Sequence, residues 1–419
     1  MVAAANSENQ MPQMANNIHP EAANCTENNV STTANQVNSE DGDNNGNRNA
    51  NFWSYMALGW DCVRTIIGLL YLFLETALKQ LLPVKYQSKN IKGYNVLITG
   101  AGSGIGRCLA TKFSELGCTL ILWDINKENN EETAAMIRAN GKTAISYVCD
   151  VSSKNDIYRV ADRVKNEIGN VDILVNNAGI VTGKNLLDCT DQDIIKTMQV
   201  NVLAHFWTIK AFLPKMIERN SGHIVTISST AGVIGVNKLT GYCASKFACV
   251  GLDEALRSEL SSLKKDGVHM TLACPYYTNT GMFLGAKTRF PSILPVLETE
   301  FVAEKIIEAV LCNQEVLYVP RIIYFISAVK GIIPVKCWSL LLKFTGSSHL
   351  MDEFRGRSLE KKKSMHVSAR VSVPPSPSPA PSSLLPMLSS IKLNNNSSNN
   401  EDLYEVTKSV KMSDTVVGN

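Results

Sequence analysis

The stretch Tyr94–Gly106, reading YNVLITGAGSGIG, constrains this chain more than any other. Val96, Leu97 and Ile98 form an apolar run long enough for one buried strand. Gly100, Gly102, Gly104 and Gly106 follow, and then Leu109, Phe113 and Leu116 recur at helical spacing. Strand, glycine-rich turn and helix in that order make a cradle for a dinucleotide. The glycines let the backbone turn tightly and approach a pyrophosphate, while the N–H groups opening the helix face its negative charge. Glycines alone also suit a tight turn that binds nothing, so residues further along decide.

From Lys89 to Pro320 strand and helix patterns alternate. Strands are predicted at Asn95–Ile98, Thr119–Trp123, Thr143–Val148, Ile173–Val175, His223–Ile227, His269–Ala273 and Val316–Tyr318. Helical patterns lie between them, for example Asp156–Ile168 and Asp191–Arg219. Such alternation means βαβ units, hence an α/β fold with a Rossmann-type doubly wound parallel sheet of about seven strands. No repeat of solenoid period is present.

Composition sets the limits of this domain. Residues 1–50 are mostly Asn, Ala, Glu, Ser and Thr and bury too little to offset ordering entropy, so a disordered head is predicted. Residues 366–400 are rich in Ser, Pro and Asn, which predicts a mostly disordered tail over 351–419. One globular domain remains at 89–320. A net charge of +3, with no basic run interleaved with aromatics, argues against a nucleic-acid partner. The eleven cysteines lack CxxC pairs or histidine partners at metal spacing, so they read as buried thiols in a reducing compartment, with no metal.

The first fifty residues have no apolar core of a cleavable signal. A hydrophobic block follows at Phe52–Leu82, within a predicted membrane anchor at 51–88. Its uncharged run Thr65–Leu74 is short for a span, which needs about twenty residues. Leu69, Leu70, Phe73, Leu74, Ala77 and Leu78 nevertheless keep a helical stripe. A tilted span, an interfacial helix and a hairpin all remain open, and Asp61 and Arg64 near the centre favour the arrangements that do not cross. Lys79, Lys85, Lys89 and Lys92 follow the anchor, while Glu40, Asp41 and Asp43 precede it, which predicts that the globular domain after the anchor faces the cytosol. A spanning anchor would make Asn24 and Asn29 possible glycan acceptors. A second apolar stretch, 321–350, carries only well-separated basic residues up to Lys343, with Tyr324, Phe325 and Trp338 between them. It suits a membrane surface, a cover over a substrate cleft, or both.

Several positions carry chemistry. Asp124 closes the second strand, where a carboxylate accepts from the ribose hydroxyls of NAD and repels the 2′-phosphate of NADP. Arg107 is the nearest residue able to serve such a phosphate. Asp150 and Val151 follow the third strand, within reach of an adenine. Asn176-Asn177-Ala178-Gly179 ends the fourth with small residues and amides suited to a cofactor's surface. Ser228 and Ser229 end the fifth. Tyr242 and Lys246 stand at i and i+4, on one helical face. Tyrosine ionises near ~10 and is a poor base at neutral pH, but a lysine ammonium one turn away favours the phenolate. Such a tyrosine can take a proton from an alcohol as a hydride leaves.

The segments TGAGSGIG, Asp124, NNAG, Asn201, ISS and YCASK, in this order and at these spacings, resemble the short-chain dehydrogenase/reductase family over about residues 93–320. The resemblance implies a catalytic tetrad of Asn201, Ser229, Tyr242 and Lys246, with Asn201 holding a water beside Lys246 and Lys246 binding the nicotinamide ribose. It implies a cofactor site of Gly100, Ser103, Gly104, Ile105, Gly106, Asp124, Asp150, Val151, Asn177, Ala178 and Gly179, joined by Tyr242 and Lys246. CPYYTNTGM (Cys274–Met282) resembles the segment that places Pro275, Thr278 and Thr280 near the nicotinamide. LILWDIN, AHFWTIKAFLPKM and YCASKFACVG further resemble the membrane-bound retinol dehydrogenases, a subgroup including epidermal retinol dehydrogenase and lipid-droplet 17-beta-hydroxysteroid dehydrogenases. That implies NAD-dependent (NADP possible) oxidation of a retinol-like, isoprenoid or steroid alcohol. The implied setting is the endoplasmic reticulum membrane or a lipid droplet, with a possible homodimer. A carbonyl reductase using NADPH and a non-catalytic lipid-droplet adaptor are the alternatives; adaptor binding alone does not require Ser229, Tyr242 and Lys246 together.

Overall fold

The computed structural model describes residues 44–347 and 349–356. The predictions of a disordered head, of glycan acceptors at Asn24 and Asn29, and of a disordered tail fall, before Asn44 and after Gly356, outside the described residues. The chain divides into two compact units, Met1–Ser88 and Lys89–Asn419.

In the first unit α1 (Asn44–Leu81) is one unbroken helix of 38 residues, followed by the single turn α2 (Val84–Gln87). Residues 44–50, assigned above to the disordered head, are instead its opening turns. They contain no proline, and extending an existing helix fixes only one residue per hydrogen bond gained. Nor does the block fold back as a hairpin, because the helix continues through Asp61 and Arg64. Pro83, without an N–H, stands between the two helices. Phe52–Leu78, 27 residues with mean hydropathy 1.5, is long and apolar enough to cross a membrane by length and composition. The block thus meets a span's length requirement, which its uncharged run alone does not.

The second unit is built in the order β1 (Asn95–Thr99), α3 (Gly104–Glu115), β2 (Thr119–Asp124), α4 (Lys127–Ala139), β3 (Ala144–Val148), α5 (Lys154–Glu167) and β4 (Ile173–Asn176). Then come α6 (Asp191–Met198), α7 (Ala204–Arg219), β5 (Gly222–Ile227), α8 (Thr240–Ser262), β6 (Val268–Pro275), α9 (Thr299–Leu311) and β7 (Val316–Val319). Two short helices close it, α10 (Ile322–Ile332) and α11 (Val335–Phe344). Every predicted strand is present to within two residues.

The seven strands pair in parallel in the order β3-β2-β1-β4-β5-β6-β7. Side chains alternate between two cores. Val96, Ile98, Leu120, Leu122, Ile173 and Val175 pack against α3, α4 and α9 through Leu109, Phe113, Ile137 and Ile306. Leu97, Ile121, Trp123, Leu174 and Ile224 pack against α5, α7 and α8 through Ile157, Val160, Phe212 and Leu256. Burial on both faces explains why the strands read as continuous apolar runs. The strand order reverses between β1 and β4, and ligands of such sheets bind at the carboxyl ends beside that reversal.

One predicted helix is broken. Asp191–Arg219 is α6, a π-helical turn at Gln199–Leu203, and α7. Its start was legible: Thr190 and Asp193 form a capping box, each side chain accepting from the other's backbone N–H. The extra residue of the π turn leaves no mark in composition, yet it carries Asn201.

Candidate active site

The glycine-rich turn that joins β1 to α3 has no room for a side chain at Gly100 or Gly106. A Cβ on Gly100, whose φ is +68°, would lie 2.9 Å from Ala178 Cα. One on Gly106 would lie 2.2 Å from the Gly100 carbonyl oxygen. Asn177 braces the turn: its Nδ2 donates to the carbonyls of Thr99 (2.8 Å) and Gly100 (3.2 Å). The backbone N–H groups of Asn177 and Ala178 donate to Thr99 Oγ1 at 3.0 and 3.1 Å. The ends of β1 and β4 are thereby locked around a groove of about 600 Å³.

Asp124 lines this groove. Its Oδ2 accepts from the Gly102 N–H at 2.9 Å and its Oδ1 from the Asn126 N–H at 2.8 Å, so the carboxylate is fixed but retains free lone pairs. Arg107 turns away to internal work. Its guanidinium donates twice to the Gly102 carbonyl, at 3.1 and 2.7 Å, and pairs with Glu132 at 2.7 Å. Asp150 accepts from the backbone N–H and hydroxyl of Ser152, at 2.9 and 2.7 Å. Burial pushes its carboxyl upward, but the Ser152 hydrogen bonds and the Lys196 charge outweigh this and hold it below the usual value.

The catalytic candidates meet at the far end of the groove. Tyr242 and Lys246, on α8, are 5% and 3% exposed; Ser228 and Ser229 lie just past β5, which ends at Ile227, and Ser229 caps the single 3-10 turn Thr230–Gly232. Ser229 Oγ accepts from the Ala231 N–H at 3.1 Å and donates to the Pro275 carbonyl at 3.4 Å. Burial raises the Tyr242 hydroxyl well above its ordinary value, and the neighbouring Ser229 hydroxyl opposes that rise. Lys246 Nζ donates to the Ile227 carbonyl at 2.8 Å and lies 5.8 Å from the Tyr242 ring centre. Its burial pushes the ammonium pKa down, so a positive charge in this position is held at a cost. Asn201 is held by protein: Oδ1 accepts from the Ile180 N–H (2.8 Å), and Nδ2 donates to the Ile180 carbonyl (3.0 Å) and to Ser245 Oγ (3.0 Å). Its own carbonyl accepts from the Cys249 thiol at 3.0 Å. The side chain thus ties the loop after β4 to α8.

On the other side of Tyr242 lies an apolar cavity of about 270 Å³. Tyr277, Phe283, Phe290 and Leu294 line it from the loop after β6, and Ile323, Val329, Trp338 and Leu341 from α10 and α11. Ser229 and Tyr242 line both the polar groove and the apolar cavity, so they stand where the two meet.

Residues 94–289 match the family model described as short chain dehydrogenase. Epidermal retinol dehydrogenase 2 of Homo sapiens is 50% identical over 286 residues, covering 68% of this chain and 92% of that protein. Retinol dehydrogenase 10-B of Danio rerio is 40% identical, covering 66% and 89%. Among solved structures, a short chain dehydrogenase/reductase from Burkholderia phymatum in complex with NAD superposes with a TM-score of 0.53 at 28% identity, over 58% of this chain and 94% of that one. The chain belongs to the short-chain dehydrogenase family. It is an NAD(P)-dependent oxidoreductase acting on CH–OH groups.

The residues of this short-chain dehydrogenase fit the dinucleotide its family uses. Gly100, Ser103, Gly104 and Ile105 of the turn opening α3 line the groove, where the helix N-terminus suits a pyrophosphate, and Asp124 lines it with free acceptor lone pairs suited to ribose hydroxyls. Gly100, Ser103, Gly104, Ile105, Asp150, Val151, Ala178, Gly179, Pro275, Thr278 and Thr280 all line the groove with Asp124, Asn177, Tyr242 and Lys246. Gly106 does not; it packs beneath the turn against Gly100. Lys196, which also lines the groove and reaches Asp150 at 3.4 Å, has no sequence signal beyond its place on an exposed helix face.

Proposed function

We propose that this enzyme interconverts a lipophilic alcohol of retinol type and its carbonyl at a membrane surface, with NAD as the preferred cofactor. The observation that carries this is the junction at Ser229 and Tyr242, with a polar groove on one side and an almost wholly apolar cavity on the other. Steroid and isoprenoid alcohols fit the same apolar lining, and the names of the relatives favour retinol among them.

Bound in the groove, NAD would supply the hydride acceptor for the alcohol carbon. Asp124 would hold its adenosine ribose, Asp150 and Val151 would flank its adenine, and Lys246 would hold the ribose of the nicotinamide. Ser229 donates to the substrate oxygen and fixes it beside Tyr242. Tyr242, as phenolate, takes the hydroxyl proton; run in reverse, its hydroxyl returns that proton to the carbonyl oxygen. Burial disfavours the phenolate; the Lys246 ammonium, 5.8 Å from the ring centre, acts in the opposite sense as an opposite charge nearby. Asn201 holds the loop after β4 against α8, which keeps the floor of the site in place.

Membrane association is supported by Phe52–Leu78 and by the outer faces of α10 and α11, where Phe325, Ile332, Val335, Leu340 and Phe344 are exposed among Lys336 and Lys343. The lysines after the anchor support a cytosolic catalytic unit on the endoplasmic reticulum or a lipid droplet. A panel of retinol and steroid alcohols with NAD and NADP, assayed in isolated membranes, tests the reading. Oxidation of retinol with NAD supports it, and failure to oxidise any lipophilic alcohol removes it.

A further inference from the structure

The segment after α11 does not leave the catalytic unit. From Leu350 to Arg355 it crosses back over the loops after β4 and β6 as a strap. Leu350 and Met351 are 7% and 2% exposed, in one buried cluster with Tyr242, Ala231 and Cys243. These residues lie in or beside the tail predicted to be disordered, and they are ordered because that cluster offers them an apolar seat.

Both loops are shaped to receive the strap. At Gly183, a Cβ would sit 2.1 Å from the Phe354 ring. At Gly285, whose φ is +89°, a Cβ would sit 1.9 Å from the Glu353 carbonyl oxygen. The strap is then tied down. The Lys287 N–H donates to the Leu350 carbonyl (3.1 Å), and the Arg355 N–H to the Leu284 carbonyl (2.7 Å). Lys238 pairs with Asp352 at 2.6 Å, and the Tyr277 hydroxyl donates to Met351 Sδ at 3.6 Å. Aromatic contacts carry the packing inward: Phe354 lies 6.5 Å from Phe283, and Phe283 meets Tyr242 edge-on at 5.6 Å. Leu350 itself lines the apolar cavity with Tyr242.

We propose that the Leu350–Arg355 strap is a wall of the substrate site and that Leu350 sets how broad an alcohol reaches Tyr242. The proposal rests on the apolar cavity being the substrate site. Leu350 lines that cavity and not the cofactor groove, so its effect falls on alcohol selectivity and leaves NAD binding alone.

The test compares kcat/KM for all-trans-retinol and for estradiol, a fused-ring alcohol, in the full-length membrane enzyme. Alcohol binding is followed independently through Trp338, which lines the cavity. Leu350→Ala widens the wall and should shift the ratio toward the fused-ring alcohol by ~10-fold or more, the scale of a few methylenes in an apolar pocket. Leu350→Phe should shift it the other way. Gly183→Ala, which lines neither space, should displace Phe354 and move the ratio in the direction of Leu350→Ala. If one variant does not fold, the other two decide. A ratio within twofold of wild type in every folded variant, with NAD affinity intact, overturns the proposal alone. A wild type that binds neither alcohol removes the substrate-site reading and the proposal with it.

Discussion

Cofactor choice should depend on one carboxylate. Asp124→Ala removes a group that already accepts from two backbone N–H groups, at 2.9 and 2.8 Å, and whose remaining lone pairs face the groove. Hydrogen bonds from neutral hydroxyls to a charged acceptor contribute about 1.5–3 kcal/mol. At ~1.4 kcal/mol per decade, loss of the ribose contacts should raise the KM for NAD by roughly 10- to 100-fold. NADP gains in the same variant, because a phosphate charge ~4 Å from a carboxylate is opposed by about 4 kcal/mol at an effective dielectric of 20. The NAD-over-NADP ratio of kcat/KM should therefore fall by at least ~10²-fold, with the NADP arm improving outright. Arg107 sharpens the reasoning: it is held by the Gly102 carbonyl and Glu132, so Arg107→Ala should not weaken NADP more than NAD. The assay is steady-state oxidation of one alcohol with each cofactor, wild type and variant side by side. A wild type that prefers NADP, or a variant whose ratio moves less than threefold, would refute the role given to Asp124.

Two other perturbations follow from the geometry. Gly106→Ala places a Cβ 2.2 Å from a backbone oxygen that cannot swing away; the protection that NAD gives against thermal unfolding should vanish, and a variant stabilised by NAD like wild type would contradict the packing described. His205, fully buried with neither ring nitrogen partnered among the described residues, is lowered from 6.5 to about 3 by burial and then by the Lys246 charge. The unfolded chain binds a proton in that window that the folded one refuses, so this histidine's contribution is complete above about 6.5 and is lost as pH falls toward about 3. His205→Leu should lessen the stability lost between pH 7 and 4.5 by about 2–3 kcal/mol in urea unfolding, and an unchanged loss would count against it.

What was legible in the sequence depended on how local its cause was. The strands stood out because each is buried on both faces, so Val96–Ile98 or Ile173–Val175 can be nothing but apolar. The cofactor groove and the Ser229, Tyr242 and Lys246 group were legible because their spacing reflects strand ends and one turn of α8. The π turn at Gln199–Leu203 was not, since it depends on Asn201 finding Ile180 and Ser245 across the fold. Asn177, expected at the cofactor from its place in NNAG, lines the groove, and its Nδ2 also holds the Thr99 and Gly100 carbonyls, a bracing role with no signal in the sequence. The strap was invisible because Leu350, Met351 and Phe354 show no period, and the space they fill is left by Gly183 and Gly285 far along the chain.

Tyr242 is the group assigned to exchange the proton at the junction of groove and cavity. Tyr242→Phe keeps the ring against Phe283 and removes only the hydroxyl. Turnover of retinol with NAD should fall by at least the ~10²–10⁴ that acid–base groups supply, while NAD binding stays near wild type. Turnover within a few-fold of wild type, with the same NAD affinity, would contradict the account.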